Sequence, residues 1–367
     1  MREHFMKGKI PYLLLSTASI LLVSAFFGLV AVIYGISKAD VTAPPMLGNG
    51  PENLARIEGQ RVDPQPFCFL VVGDTKTSNA FENFYNNARL QSVPDFGVIM
   101  GDFVAKPEIN RHRFFMHEFS EWGMTFPIIL VAGNHDMITN NDIVKRRASD
   151  FLDPFSERDF EKTYGPTNFS FTHAGCLFVV LNDVYNDSYI DYATEILSRK
   201  DRENLMTFVF MHIPPQSLSP VVQGRGIARE EEFFNLMEEH RVDYVFCGDF
   251  HSYFRSDDNH TNYIVTGGGG SNLCGGSEQS FYHVLLLMVD PRARKVDEII
   301  HPIENSVDLG DDVEIVMLCW IFPFFEGHPF VWVAVFTFGT VIAGGLFVFT
   351  LIRLLNKKRG PRHSRTH

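Results

Sequence analysis

The chain has 367 residues, 45% hydrophobic, 21% charged and 13% aromatic, with a formal net charge of −12. This composition excludes a disordered chain, a collagen-like repeat and a disulfide-dense mini-protein. The charge is uneven: residues 39–312 carry 22 basic and 41 acidic side chains, whereas both ends are basic. A middle this acidic repels a polyanion, so nucleic acid is excluded as a partner held through its phosphates.

From the N-terminus, Ile10 to Ile36 contains no charged residue. That is longer than the roughly 20 residues that cross a bilayer core and longer than the apolar stretch of about 7–15 residues in a cleavable signal peptide. Residues 1–39 therefore read as a cytoplasmic tail and transmembrane anchor. Residues 40–66, rich in Pro, Gly and polar side chains, read as a tether. A domain over 67–304 follows. Residues 305–329 read as a linker with an interfacial apolar segment, Ile315–Phe325, and 330–355 as a second transmembrane helix before a basic cytoplasmic tail at 356–367. Positive residues stay cytoplasmic. The expectation is a two-pass membrane protein with both termini inside and its domain periplasmic or extracytoplasmic.

Within the domain, short β-branched or aromatic runs alternate with helix-like stretches. Strands are expected at Cys68–Val72, Gly97–Met100, Ile128–Ala132, Phe169–Thr172, Leu177–Leu181, Phe208–Met211, Tyr244–Cys247, Tyr263–Thr266, Val284–Val289 and Val296–Ile300. Helices are expected at Ala80–Leu90, Arg111–Glu121, Ile143–Phe151, Ile190–Leu197 and Arg229–Glu239. Such alternation implies an α/β protein with largely parallel sheets. The closely spaced pair within 168–182 reads as a hairpin turning at Ala174–Gly175. Cys68, Cys176 and Cys247 fall in or beside these runs, where Cys is usually a small buried hydrophobe. No CxxC spacing argues for zinc.

Polar clusters close five of the apolar strands: Gly73-Asp74-Thr75-Lys76, Gly101-Asp102, Gly133-Asn134-His135-Asp136, His212, and Gly248-Asp249-Phe250-His251. Ligands in α/β sheets bind at the carboxyl ends of strands. Asp, Asn and His together form an oxygen-and-nitrogen set suited to hard or borderline divalent metals. A lone Asp after a strand is usually a turn cap, and a lone His after an apolar run is usually a satisfied core residue. Five clusters in order fit neither description. Gly267–Gly270 reads as a tight turn near this rim, and the histidines outside the five clusters as surface or structural.

In these five blocks the chain resembles the calcineurin-like metallophosphoesterase superfamily, whose blocks run D-x-H, G-D, G-N-H-D/E, a lone His and G-H-x-H. The stretch from Cys247 to Arg255, with Thr266-Gly-Gly-Gly-Gly270, looks most like the purple-acid-phosphatase-like branch. The Tyr that branch carries three residues after its second-block Asp is Ala105 here. The resemblance implies a four-layer α/β/β/α sandwich and one or two divalent metal ions (Mn, Fe, Zn or Mg). It places Asp74 and His251 on a first metal, Asn134, His212 and Asp249 on a second, and Asp102 between them. It makes His135 a general acid in hydrolysis of a phosphomonoester or phosphodiester by metal-hydroxide attack.

Two positions depart from the pattern. Lys76 stands where the family has a ligand His, and an ammonium cannot ligate; a contact to substrate phosphate or to Asp74 is its expected role. Asp249 stands where the family has another His. These departures support an alternative, a catalytically degenerate domain serving as a membrane-tethered binding or scaffold module. The two anchors and the Ile315–Phe325 run motivate a third reading, hydrolysis of a lipid-linked phosphoester at the membrane.

Overall fold

The computed structural model describes residues 27–86, 93–138, 151–184, 187–199, 205–218, 226–258, 260–274, 279–305 and 308–331, with a few single positions near either end. The chain divides into two units. One is residues 35–312; the other is residues 1–34 with 313–367.

In the larger unit, eleven strands among the described residues form two sheets. β1 (Phe67–Val72), β2 (Phe96–Ile99), β3 (Ile128–Leu130), β10 (His283–Asp290) and β11 (Lys295–Pro302) make a sheet of order β11-β10-β1-β2-β3. β4 (Phe169–His173), β5 (Cys176–Val180), β6 (Thr207–Phe210), β7 (Tyr244–Cys247), β8 (Tyr253–Asp258) and β9 (Thr261–Thr266) make a second, of order β4-β5-β6-β7-β9-β8. β1, β2 and β3 run parallel, as do β5, β6, β7 and β9, while the other pairings are antiparallel.

The side-chain period of two explains the layering. On β1, Phe67, Phe69 and Val71 enter a core shared with Phe178, Phe208, Phe210 and Phe246 of the second sheet. Phe69 meets the rings of Phe178, Phe208, Phe210 and Phe246 edge-on at 5.6–6.1 Å. This geometry suits aromatic quadrupoles. Leu70 and Val72 point the other way and pack with Phe115 and Phe119 of α3 (Ile109–Trp122). Val179, Val209 and Val245 do the same on the outer face of the second sheet, among Tyr189 of α5 (Ser188–Ser198) and Phe233 of α6 (Glu230–Glu239). Strands buried on both faces need helices on both outsides, which gives the α/β/β/α sandwich. The hairpin turns at Ala174 (φ 49°) and Gly175 (φ 75°), joining β4 to β5 with His173 opposite Cys176.

Three features differ from the sequence reading. Pro51–Gln60, within the stretch read as a tether, is helix α1, with Pro near its start and Ile57 buried in the inter-sheet core. Its few apolar residues hid it from periodicity. β8 (YFRSDD) is an edge strand that carries charge in place of an apolar run, a common protection for an edge. A short helix, α4 (Glu157–Tyr164), is started by a Ser156–Asp159 capping box. The remaining helix of this unit, α2 (Asn79–Asn86), overlaps the expected one; the helix expected at Ile143–Phe151 falls almost entirely outside the described residues.

The two-pass membrane reading is overturned: among the described residues no helix is long and apolar enough to cross a membrane. Residues 27–38 are helical. Residues 309–327 are helical through α7 (Leu309–Val316), a π-turn and α8 (Phe322–Gly327), but they carry Asp311, Asp312, Glu314 and Glu326, with Pro323 in the first turn of α8. Most of 10–26 and of 332–355 lies outside the described residues. The membrane partner and the lipid-linked substrate lose their support together with the spans.

Candidate metal centre

The parallel strands put five polar strand ends on one rim. After β1, β2 and β7 the chain turns through left-handed backbone at Asp74 (φ 55°), Asp102 (φ 52°) and Asp249 (φ 56°). Non-glycine residues seldom adopt that conformation, and Asp is among the few that tolerate it. The turns face carboxylates inward where a continuing strand would have pointed them to alternate sides. Glycines make room: a Cβ on Gly101 (φ 87°) would lie 2.5 Å from His212 Nδ1, and one on Gly133 would lie 2.2 Å from Asp102 N.

Each imidazole is fixed the same way. His212 Nδ1 donates to Met100 O at 2.7 Å, His251 Nδ1 to Asn272 O at 2.7 Å, and His135 Nδ1 to Ala105 O at 2.6 Å. A carbonyl only accepts, so Nδ1 carries the proton in all three and Nε2 faces the site. The Ala105 position acts through its main chain.

The Nε2 atoms meet two groups of ligands. In one half, His251 Nε2 lies 3.4 Å from Asp74 Oδ1, and the ligand atoms of Asp74, Asp102 and His251 all lie within 4.8 Å of one another. In the other, His212 Nε2 lies 3.2 Å from Asn134 Oδ1, 3.4 Å from Asp102 Oδ1 and 3.7 Å from Asp249 Oδ1. Asp102, 1% exposed, belongs to both halves. His135 Nε2 stands 3.7 Å from Asp102 Oδ2 on the more open side.

Lys76 departs from expectation. Its ammonium pairs with Asp102 Oδ2 at 3.4 Å and lies 3.4 Å from His251 Nε2, rather than pairing with Asp74. Gly267–Gly270 packs closely against the turn after β1. Gly269 N donates to Gly73 O, and a Cβ on Gly269 would lie 2.1 Å from that oxygen, so the run is there for close backbone packing.

The electrostatics are those of a cation site. Burial pushes Asp74 up to about 6, against the pull of His251 and His212. Burial also works to raise Asp102, but His212, His135 and Lys76 hold it below the ordinary carboxylate range. At His212 burial opposes the charge, yet Asp102, Asp74 and Asp249 lift the imidazole to about 9. A carboxylate-rich pocket that draws a proton onto a buried imidazole is short of positive charge.

Three supporting residues receive no site role from the sequence: Asp183 is not singled out, Asp136 stands only as a member of the third block, and His112 reads as surface or structural. Asp183, 3% exposed, accepts from His212 N at 3.0 Å and Ile213 N at 2.7 Å, and burial pushes it up to about 6. It closes β5 just as the other clusters close their strands, and that sixth strand end was its signal. Asp136, fully buried, accepts from Asp102 N, Val104 N and Gly133 N and is pushed up to about 8 by burial and by Asp102. His112 donates to Asp136 O at 2.8 Å, lies 3.1 Å from the Tyr164 hydroxyl and stacks on Phe155. No strand end announces it.

Whether the donors fit a metal ion is answered by their chemistry. In the Asn134–His212–Asp249 half, His212 Nε2 faces three oxygens that draw a proton onto it, and a divalent cation that displaces that proton would satisfy all four ligand atoms. Its Nδ1–H to carbonyl bond is the usual orienting contact of a metal-ligating His. In the other half Asp74 Oδ1 is buried with no hydrogen-bond donor, but an ammonium already stands among the ligands.

The calcineurin-like phosphoesterase family matches residues 68–253, just over half of the chain. The chain belongs to that family. It is 25% identical over 192 residues to the bovine (Bos taurus) serine/threonine-protein phosphatase CPPED1, a match covering 44% of this chain and 55% of that protein. The chain thus spans about half the length of this curated relative. Among solved structures it is similar to purple acid phosphatase PPD1 from yellow lupin (Lupinus luteus), at 14% identity over 69% of this chain and 56% of that one, with a TM-score of 0.48. It is also similar to a dimetal phosphatase from Danio rerio, at 11% identity over 67% of this chain and 98% of that one, with a TM-score of 0.46. Family and phosphatase relative together support the expectation of a metal-dependent phosphoester hydrolase.

Proposed function

We propose that residues 67–304 form a catalytic domain that hydrolyses a phosphomonoester or phosphodiester with the help of a bound divalent cation. The observation that carries this reading is the convergence of His212 Nε2 with three oxygens, from Asn134, Asp102 and Asp249. These four residues would hold the cation. When bound, it would supply charge neutralisation for the phosphoryl group and an activated water.

The chain's own residues supply the rest. Asp102, held by the amide of His135 at 2.8 Å, fixes one wall. Lys76, with 21% of its side chain exposed, adds positive charge facing the opening. His135 has 25% of its side chain exposed and Nε2 turned inward, placed to give a proton to the leaving oxygen. The amide of Asp249 donates to Asp74 Oδ2 at 3.0 Å, tying the β7 turn to the β1 turn.

The test is hydrolysis of a chromogenic phosphomonoester and phosphodiester by the full chain, with Mn, Mg, Zn and Fe supplied in turn, beside His135→Ala. Metal-dependent turnover lost in the variant is the expected result. No turnover with any metal would favour the degenerate binding module.

A further inference from the structure

We propose that the Lys76 ammonium is a built-in cation standing where a metal ion would otherwise bind among Asp74, Asp102 and His251, so that the chain takes up a single divalent cation, in the Asn134–His212–Asp249 half. This rests on the reading of that half as a metal site and refines it.

Three observations lead there. The Asp74, Asp102 and His251 ligand atoms cluster within 4.8 Å, so the half has ligand geometry. Lys76 Nζ sits 3.4 Å from both Asp102 Oδ2 and His251 Nε2. Because His251 Nδ1 donates to Asn272 O, Nε2 is the ring atom that faces both Lys76 Nζ and Asp74 Oδ1.

The main chain holds Lys76 in place. It has left-handed backbone (φ 45°), and its N–H donates to Asp102 O at 2.9 Å. Metal bonds to nitrogen and oxygen are about 2.0–2.2 Å long. An ion bonded to the same Asp102 and His251 atoms would lie against the ammonium with no counter-charge between them. One of the two cations must leave, and Lys76 is covalently attached.

The measurement is ion stoichiometry, independent of turnover. The full chain is stripped with a chelator, equilibrated with Mn(II) and assayed by equilibrium dialysis, with electron paramagnetic resonance separating isolated from spin-coupled ions. Wild type is expected to bind one isolated ion per chain. Lys76→His, which adds a ligand beside the donor-free Asp74 Oδ1, is expected to bind two, spin-coupled. Lys76→Met, uncharged and of similar length, is expected to take a second ion more weakly, and it carries the test if the histidine variant does not fold.

Two ions in wild type would overturn the inference, as would one ion in all three chains. No ion in wild type but one in either variant would overturn the proposed function while leaving Lys76 in its assigned place. No ion in any chain would overturn both.

Discussion

The two halves of the site share Asp102 and a rim of strand ends, yet they hold charge differently. Around Asp74 and His251 the polypeptide brings its own cation, the Lys76 ammonium. Around Asn134, His212 and Asp249 it brings an imidazole that the surrounding carboxylates load with a displaceable proton. The lesson is that ligand-type residues in ligand-like positions do not by themselves make a metal site. What matters is whether the cluster's charge is already answered from within the chain.

Removing the shared carboxylate strains the comparison most. Asp102→Ala is expected to lower kcat/KM by about three orders of magnitude, several kcal/mol of lost charge stabilisation, and to weaken Mn(II) binding. Activity within about tenfold of wild type would show that the halves do not meet at Asp102. His135→Ala comes next, with a loss of about 10²–10⁴ in kcat and unchanged Mn(II) affinity. A loss of affinity there would make His135 a ligand rather than a proton donor.

Asp183→Asn sharpens the contrast, because Asp183 supports only the His212 side. Mn(II) affinity is expected to fall about 10–100-fold, with the geometry around Lys76 intact. An unaltered affinity would make Asp183 a turn cap alone.

The smallest effect concerns stability. A neutral imidazole is buried beneath each half. His112 lies behind the Asn134–Asp136 loop, and His283, with Thr266 Oγ1 at 3.0 Å, lies behind the first half. Burial holds His112 down at about 3 and His283 at about 4, against about 6.5 in the unfolded chain. Below about pH 6.5 the unfolded chain therefore binds protons that the folded chain does not. Stability present above that pH is lost on acidification, by up to about 1.4 kcal/mol per pH unit for each group. His112→Gln and His283→Gln are each expected to flatten the fall in Tm between about pH 7 and about pH 5. An unchanged slope would show that the imidazole already titrates freely in the fold.

Much of this molecule was written locally. Each expected strand overlaps an observed one, because strands buried on both faces read as continuous apolar runs. The polar clusters that close them told where a site would form. Elements with mixed composition stayed hidden: α1 has few apolar residues, and β8 carries charge in place of an apolar run. The membrane reading failed in the opposite way. Apolar runs suggested spans, while among the described residues no helix is long and apolar enough to cross a membrane, and residues 309–327 carry four acidic side chains.

The sequence by itself determined the strand rhythm, the order of the five polar blocks and the residue types on the rim. Those depend on near neighbours and on the period of the backbone. Tertiary structure alone decided which of those residues face one another. It put Asp183 under His212 and His112 under Asp136, and it seated Lys76 between Asp102 and His251 rather than on Asp74. These contacts join residues dozens of positions apart, brought together when two sheets pack and their strand ends align. The partner of a charge is therefore fixed by that packing, while the charge itself is fixed by the chain.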